Sequence, residues 1–205
     1  MVKTTGAKAV LVAIAALFVS SSSAFTAPAS ILSMRTGGMT SQPIGHYEFC
    51  KRYRKECAPG ARNTEPAKVT ARGWSAIRQV NASVNREVTP MTDLEVFGRE
   101  EYWDYPQGAG DCEDFVLLKR KRLMQRGFSP ADLLITVVRK PDGEGHAVLT
   151  VRTTQGDFIL DNLDNGVKLW TETPYRYLKR QASYHSGRWV SIQNGDALMV
   201  SSVGK

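Results

Sequence analysis

The feature that most constrains the fold of this 205-residue chain is a change of period after Ser129-Pro130. Before this point, residues 112–126 place apolar side chains at helical spacing, and Gly127 follows as a helix stop. After it, the chain has three apolar runs with short turns between them, at residues 133–139, 146–152 and 158–163. Short turns between strands favour an antiparallel meander. The sequence therefore predicts an α+β fold, with helices first and an antiparallel sheet second.

Other helical patterns lie upstream of the sheet. Apolar residues recur every three to five positions from Glu65 to Val88, which predicts a long amphipathic helix with Pro66 near its first turn. A weaker helical or mixed segment is expected from Thr92 to Trp103, followed by a loop over residues 106–110. Three further strands are candidates, at residues 167–170, 189–193 and 197–200.

The N-terminus has the pattern of an export signal. Lys3 and Lys8 precede an uncharged, mostly apolar run, and small residues follow it. We expect a signal peptide over residues 1–24, a flexible leader over 25–44 and one domain over 45–205; cleavage after Ala29 would also fit. A membrane anchor is the alternative, but an apolar run of about 11 residues falls short of the ~20 that a span needs. The mature chain is thus expected in the periplasm or secreted, with no integral membrane span.

Export determines how the three cysteines are interpreted. In an oxidising compartment, Cys50 and Cys57 are the natural disulfide pair, closing a short basic segment. A zinc pair at these positions is disfavoured, because their spacing is long and no second pair exists. Cys112 is then left over, and an odd cysteine in an exported protein suggests a reactive thiol or an intermolecular bridge.

The formal charge is +7, and it falls to about +5 without Lys3 and Lys8. This excess suits an acidic protein partner or an anionic envelope surface. It does not predict nucleic-acid binding, because the basic residues are mostly dispersed and lack interleaved stacking aromatics. The basic run at residues 119–122 is expected to form the solvated face of a helix.

Cys112, His146 and Asp161 have the residue types and the order of a thiol hydrolase. Cys112 is expected at a helix start with Asp111 as N-cap, where free amides and the helix dipole would lower the pKa of its thiol. His146 opens the second strand of the meander and Asp161 ends the third, so the hairpin can place them side by side. Individually, the cysteine could be a core residue and the other two could be loop residues.

Three carboxylates, Asp111, Glu113 and Asp114, surround the cysteine. They would not help a bare thiolate, so they suggest a bound cation. A hard cation such as calcium binds several oxygens at close range and would relieve their mutual repulsion. The alternative is that Asp111 caps the helix and the two others favour its dipole.

The segments 103–115, 145–149 and 156–162 together resemble the bacterial transglutaminase-like cysteine proteinases, a family that includes the LapG-type periplasmic proteases. The resemblance covers roughly residues 45–195. It implies a papain-like fold of the transglutaminase type, with Cys112 as nucleophile, His146 as general base and acid, and Asp161 orienting the imidazole.

The same resemblance implies calcium dependence, with Asp111, Glu113 and Asp114 as ligands. It also implies a protein substrate, such as a large surface adhesin whose cleavage disperses biofilm. The residues alone leave two other functions open: an acyl transferase with the same triad, and a non-catalytic calcium-binding module.

Two further expectations concern single residues. For the oxyanion hole, the amide of Cys112 is one candidate donor, and Tyr102, Trp103 or Gln107 could supply a second. His46 and His185 are expected to be surface or loop residues.

Overall fold

The computed structural model describes residues 1–2, 32–60 and 65–193. The expected signal peptide, its cleavage sites and the strand at residues 197–200 lie outside the described residues, apart from Met1 and Val2. Within the described ranges, no helix combines the length and the apolar character that crossing a bilayer requires.

The helices precede most of the sheet in the chain, as predicted. They are α1 (Ile44–Arg52), α2 (Ala71–Glu87), α3 (Asp93–Phe97) and α4 (Cys112–Gln125), with 3-10 turns at Arg54–Cys57, Pro130–Asp132 and Trp170–Glu172. Helix α2 starts later than predicted, because the side chain of Thr70, and not a proline, caps it by accepting the Gly73 amide. The segment from residue 92 to 103, expected to be helical or mixed, contains the short helix α3 and otherwise irregular structure.

The strands form one large antiparallel sheet in the described part of the chain. They are β1 (Thr36–Thr40), β4 (Leu133–Arg139), β5 (Gly145–Thr153), β6 (Gly156–Leu160), β7 (Lys168–Leu169), β8 (Arg176–Ala182) and β9 (His185–Ile192), in the spatial order β1-β9-β8-β4-β5-β6-β7. Strands β2 (Thr89–Pro90) and β3 (Ala109–Gly110) form a separate parallel pair. The predicted meander is confirmed by the antiparallel β4–β5 and β5–β6 pairs, in which Leu149 lies opposite Ile135 and Leu160.

Strand β1 corrects the expected start of the domain. Residues 36–40 fall in the segment expected to be a flexible leader, yet they pair with β9. Helix α1 likewise begins at Ile44, the last leader residue. Because Gly37 and Gly38 supply no alternating apolar pattern, the sequence does not reveal this edge strand.

Helices α2 and α4 cover one face of the sheet and define the core. Phe115 and Leu123 from α4 pack against Leu149 and Val151 of β5, together with Val80 of α2. The other face has a smaller cluster, whose members are Met34, Val138, Val148, Ile159, Tyr177 and Ile192. The N-terminus of α4 therefore sits at the edge where β5 begins.

The basic run on α4 is not the solvated face that the sequence predicts. Lys119 is completely buried and Arg120 nearly so. Arg120 donates to the Leu133 carbonyl and to Ser186 Oγ, and pairs with Glu56 at 3.1 Å. Lys119 Nζ has no hydrogen-bond partner among the described residues, and burial lowers its pKa from 10.5 to about 7.

The substitution Lys119→Met should stabilise the protein. In the unfolded chain Lys119 keeps its proton up to its ordinary pKa of 10.5, whereas in the folded protein it loses the proton above about pH 7. Its contribution to stability is therefore present above the unfolded pKa and is lost as pH falls through about 7. At pH 6 we expect the free energy of unfolding to rise by about 1–3 kcal/mol, with a smaller gain at pH 9. Urea unfolding at both pH values measures this.

The neighbouring Lys121→Met serves as the control, because Lys121 is only half-buried. It should change stability by less than about 0.5 kcal/mol. A Lys119→Met protein that is less stable than the wild type would mean that the buried amine has a stabilising role.

Candidate active site

Cys112 occupies the first position of α4, as predicted. Asp111 caps the helix, and its side chain accepts the Glu113 amide at 3.2 Å. Helix α4 packs on β5, and the backbone amide of Ala147 on that strand is near enough to the Cys112 thiol to lower its pKa slightly. Helix and strand therefore bring the cysteine next to the residue that follows His146.

The expected lowering of the Cys112 pKa is wrong for the chain alone. Burial raises the pKa of the thiol well above its usual value, and the nearby Glu113 carboxylate raises it further. The thiol donates to Glu113 Oε2 at 2.9 Å. These effects outweigh the helix N-terminus, so the protonated thiol is the favoured form. Among the described residues, its side-chain partner is Glu113 and not His146.

His146 and Asp161 are in direct contact, as the hairpin geometry predicts. His146 Nε2 lies 2.9 Å from Asp161 Oδ1, and both side chains are buried. Burial alone would raise the pKa of Asp161, but hydrogen bonds from His146, Tyr175 and the Leu163 amide lower it overall. Asp161 is therefore ionised, and it directs the other imidazole nitrogen, Nδ1, away from itself.

Tyr175 is a member of the site that the sequence did not predict. Its hydroxyl donates to Asp161 Oδ2, and its ring meets the His146 ring edge-on with centroids 5.6 Å apart. It follows Pro174 in the segment between a 3-10 turn and β8, where no periodic pattern marks it. No motif in the sequence could have selected it.

A cluster of three carboxylates lies at the start of α4. Oxygens of Asp93, Asp111 and Asp114 lie within 4.8 Å of one another. Asp114 is completely buried and accepts the Asp104 amide at 2.9 Å. Gly110 permits this approach, because a Cβ there would collide with the Asp114 carboxylate.

The cluster has the properties of a site for a hard cation. Burial raises the pKa of Asp114 to about 8 with help from Asp111 and Asp93, and burial with Glu113 raises that of Asp111 to about 8. Asp114 Oδ2 and Asp93 Oδ1 are buried and have no hydrogen-bond partner within the described ranges. Unpaired carboxylate oxygens at this spacing fit calcium, which takes oxygen ligands and neutralises their repulsion.

The three predicted ligands do not form a single group. Asp111 belongs to two groups of closely spaced side chains. One contains Asp93 and Asp114, and the other contains Cys112 and Glu113. Asp93 was missed because it lies at the start of the short helix α3, 18 residues before Asp111 in a segment without a clear pattern. The signal that could have found it is its position in the capping sequence Thr92-Asp93-Leu94-Glu95.

One candidate oxyanion donor is engaged and another is buried. The Tyr102 amide donates to Asp93 Oδ2. The Trp103 side chain is buried in the core beside His46, and its Nε1 has no hydrogen-bond partner among the described residues. Gln107 is exposed in the loop before β3. The Cys112 amide, at the first position of the helix, remains a candidate donor.

A disulfide joins Cys50 and Cys57, with Cα atoms 5.5 Å apart, and leaves Cys112 as the free cysteine. His46 lies against this bridge and is buried, so the expectation of a surface residue is wrong. Burial, together with the Arg120 charge, lowers the pKa of His46 to about 3, which keeps the ring neutral. His185 is half-buried at the start of β9.

The sequence also matches a known protein family. A family model described as "Bacterial transglutaminase-like cysteine proteinase BTLCP" matches residues 36–197. The chain belongs to the bacterial transglutaminase-like cysteine proteinases. The predicted family is thus confirmed, and the chain is a cysteine protease of the transglutaminase-like type. The matched region includes β1, in agreement with a domain that starts before residue 45.

Solved structures of LapG from Legionella pneumophila resemble this transglutaminase-like proteinase. The calcium-bound LapG is 24% identical with a TM-score of 0.50, covering 62% of this chain and 79% of that chain. Another LapG structure has 24% identity, a TM-score of 0.49 and coverages of 61% and 71%. EGTA-treated LapG is 23% identical with a TM-score of 0.49, and the match covers 61% of this chain and 73% of that chain. The likeness to the calcium-bound structure shows the fold. No curated protein sequence matches the chain.

The carboxylate cluster predicts an unusual pH dependence when calcium is chelated. Asp114 has its pKa raised from 3.8 to about 8, so its contribution to stability is present below the unfolded pKa and is lost as pH rises through about 8. In EGTA, the melting temperature should therefore fall by roughly 5 °C or more between pH 5 and 8.5. Asp114→Asn should flatten this decline.

The control is Asp142→Asn, which changes an exposed carboxylate in the β4–β5 turn. That variant should keep the wild-type slope of melting temperature against pH. An Asp114→Asn protein with an unaltered slope would show that Asp114 does not carry the buried charge.

Proposed function

We propose that this protein is a periplasmic cysteine endopeptidase with the triad Cys112, His146 and Asp161. The observation that carries the proposal is the buried His146–Asp161 hydrogen bond of 2.9 Å at the strand edge onto which the Cys112 helix packs. The ionised Asp161 fixes the ring with Nε2–H toward it, which leaves Nδ1 to accept a proton.

In the first half of the reaction, the thiol proton passes to His146 Nδ1 and the sulfur attacks the carbonyl carbon of the scissile peptide. A carbon–sulfur bond forms, and the tetrahedral intermediate places negative charge on oxygen, where the Cys112 amide is a candidate donor. His146 then gives its proton to the leaving nitrogen, the carbon–nitrogen bond breaks, and a thioester on Cys112 remains.

In the second half, His146 takes a proton from water, which attacks the thioester carbonyl. The carbon–sulfur bond breaks, the new carboxyl product leaves, and the sulfur recovers a proton from His146. Asp161 stays ionised throughout and stabilises the imidazolium that forms twice in each cycle.

We propose that the enzyme is calcium-dependent. Asp111, Asp114 and Asp93 would hold the ion, with Glu113 as a further ligand on the cysteine side. The bound ion would supply positive charge that offsets the buried carboxylates. Its charge would also offset the Glu113 carboxylate, which lies beside the Cys112 thiol and raises the pKa of that thiol. One solved LapG structure is described as calcium-bound, which supports the idea.

The proposed location follows from two features of the N-terminal part of the chain. The N-terminal sequence pattern and the Cys50–Cys57 bridge favour an oxidising compartment after export. We therefore propose an envelope or cell-surface protein as substrate, with a surface adhesin as the specific candidate.

Incubation with a proteome-derived peptide library, read by mass spectrometry, tests the activity. Wild-type protein in calcium should cleave internal peptide bonds, and Cys112→Ala should lose cleavage while melting at the wild-type temperature. Asp161→Asn should lower the rate by roughly 10³–10⁴-fold, because His146 would lose its orientation. EGTA should suppress cleavage by the wild type and excess calcium should restore it.

A dansylated alkyl amine added to the same reactions separates the acyl-transferase alternative. Incorporation of the amine into peptides without net hydrolysis would contradict the endopeptidase and favour an acyl transferase. Cleavage that persists in Cys112→Ala would overturn the proposed nucleophile.

A further inference from the structure

The two oxygens of the Asp161 carboxylate have different partners. Oδ1 faces His146 Nε2 at 2.9 Å and accepts the Leu163 amide at 3.0 Å. Oδ2 accepts the hydroxyl of Tyr175. The oxygen that does not touch His146 is thus held by a separate side chain.

The backbone of Asp161 is fixed independently of Tyr175. Asn85, on helix α2, donates its Nδ2 to the Asp161 carbonyl at 2.9 Å. With the backbone held, the side chain can still rotate about its Cα–Cβ and Cβ–Cγ bonds, and the Cβ–Cγ torsion, which turns the carboxylate plane, has a broad energy profile. The Tyr175 hydroxyl restrains that rotation, because it binds the oxygen opposite the one that faces His146.

The sheet register delivers Tyr175 to this place. Val138 of β4 lies opposite His146 of β5 on one side and opposite Tyr177 of β8 on the other. Tyr175 immediately precedes β8, and β8 pairs with β4, the strand that also pairs with the His146 strand β5. Its ring meets the His146 ring edge-on at an interplanar angle of 63°.

We propose that Tyr175 is a positioning residue that sets the orientation of Asp161 and, through it, the tautomer and tilt of the His146 ring. The proposal rests on the proposed function for its catalytic consequence. Burial, followed by the hydrogen bond to Asp161, raises the pKa of Tyr175 above its ordinary value of 10, so the hydroxyl stays protonated and remains a donor.

The test compares Tyr175→Phe with Tyr177→Phe. Tyr177→Phe is a matched control, since it also removes one hydroxyl, which lies 2.7 Å from Thr173 Oγ1 and makes no hydrogen bond to Asp161. The protein has three histidines, so ¹⁵N-histidine labelling gives a simple NMR spectrum. Wild type and Tyr177→Phe should show a single His146 tautomer with a slowly exchanging Nε2–H.

In Tyr175→Phe, that Nε2–H should exchange with water at least about tenfold faster, and the second tautomer should appear. On a peptide cleaved in the library, its kcat should fall about tenfold while KM stays unchanged, because the loss affects the proton-transferring ring and not peptide binding. Unchanged exchange and tautomer in a folded Tyr175→Phe protein would overturn the proposal.

The cleavage result tests the proposed protease function, and the NMR result tests the role of Tyr175 separately. If wild type and Cys112→Ala cleave equally, the proposed function fails while the NMR comparison still decides the role of Tyr175. If Tyr175→Phe does not fold, the wild-type spectrum decides: a slowly exchanging Tyr175 hydroxyl proton supports the proposal, and a rapidly exchanging one contradicts it.

Discussion

The burial of the Asp114 carboxylate at the start of helix α4 is the constraint on which the site depends. This side chain is completely buried beside Asp111 and Asp93, and in the part of the chain that the structure describes one of its oxygens has no hydrogen-bond partner. Such a charge is costly to bury unless it is protonated or paired with a cation. The same few residues also carry Cys112, so the charge balance of the cluster and the state of the thiol are linked.

The surrounding structure holds this cluster from the N-terminal side. Asp104 gives its amide to Asp114, and its own carboxylate accepts the Tyr53 hydroxyl at 2.7 Å. Arg52 donates to the Trp103 carbonyl. Tyr53 and Arg52 lie between Cys50 and Cys57, so the disulfide-closed segment supports the loop that supports Asp114. A bridge far from Cys112 in sequence thereby stabilises the cysteine end of the site.

The parts of the site that short-range sequence patterns encode could be predicted from the sequence. The helix start at Cys112 was visible from apolar spacing and the Asp111 cap, and the meander placed His146 beside Asp161. Tyr175 and the buried Lys119 were not predicted, because long-range packing alone defines their roles. Asp93 carries a local signal, the capping sequence around it, but its approach to Asp111 and Asp114 also depends on long-range packing. Strand β8 was not predicted, because Arg176, Lys179 and Arg180 interrupt the alternation of apolar and polar residues. Strand β1 was not predicted, because two of its five residues are glycines.

The coupling of Cys112 and His146 to the carboxylate cluster is tested most directly by the rate at which iodoacetamide alkylates Cys112 at pH 7, with calcium and with EGTA. Wild type, His146→Ala and Asp114→Asn should be compared. We expect fast alkylation of the wild type in calcium, and an alkylation rate that is roughly tenfold or more lower in EGTA and in either variant. Equal rates under all of these conditions would contradict an activated Cys112–His146 pair coupled to the carboxylate cluster.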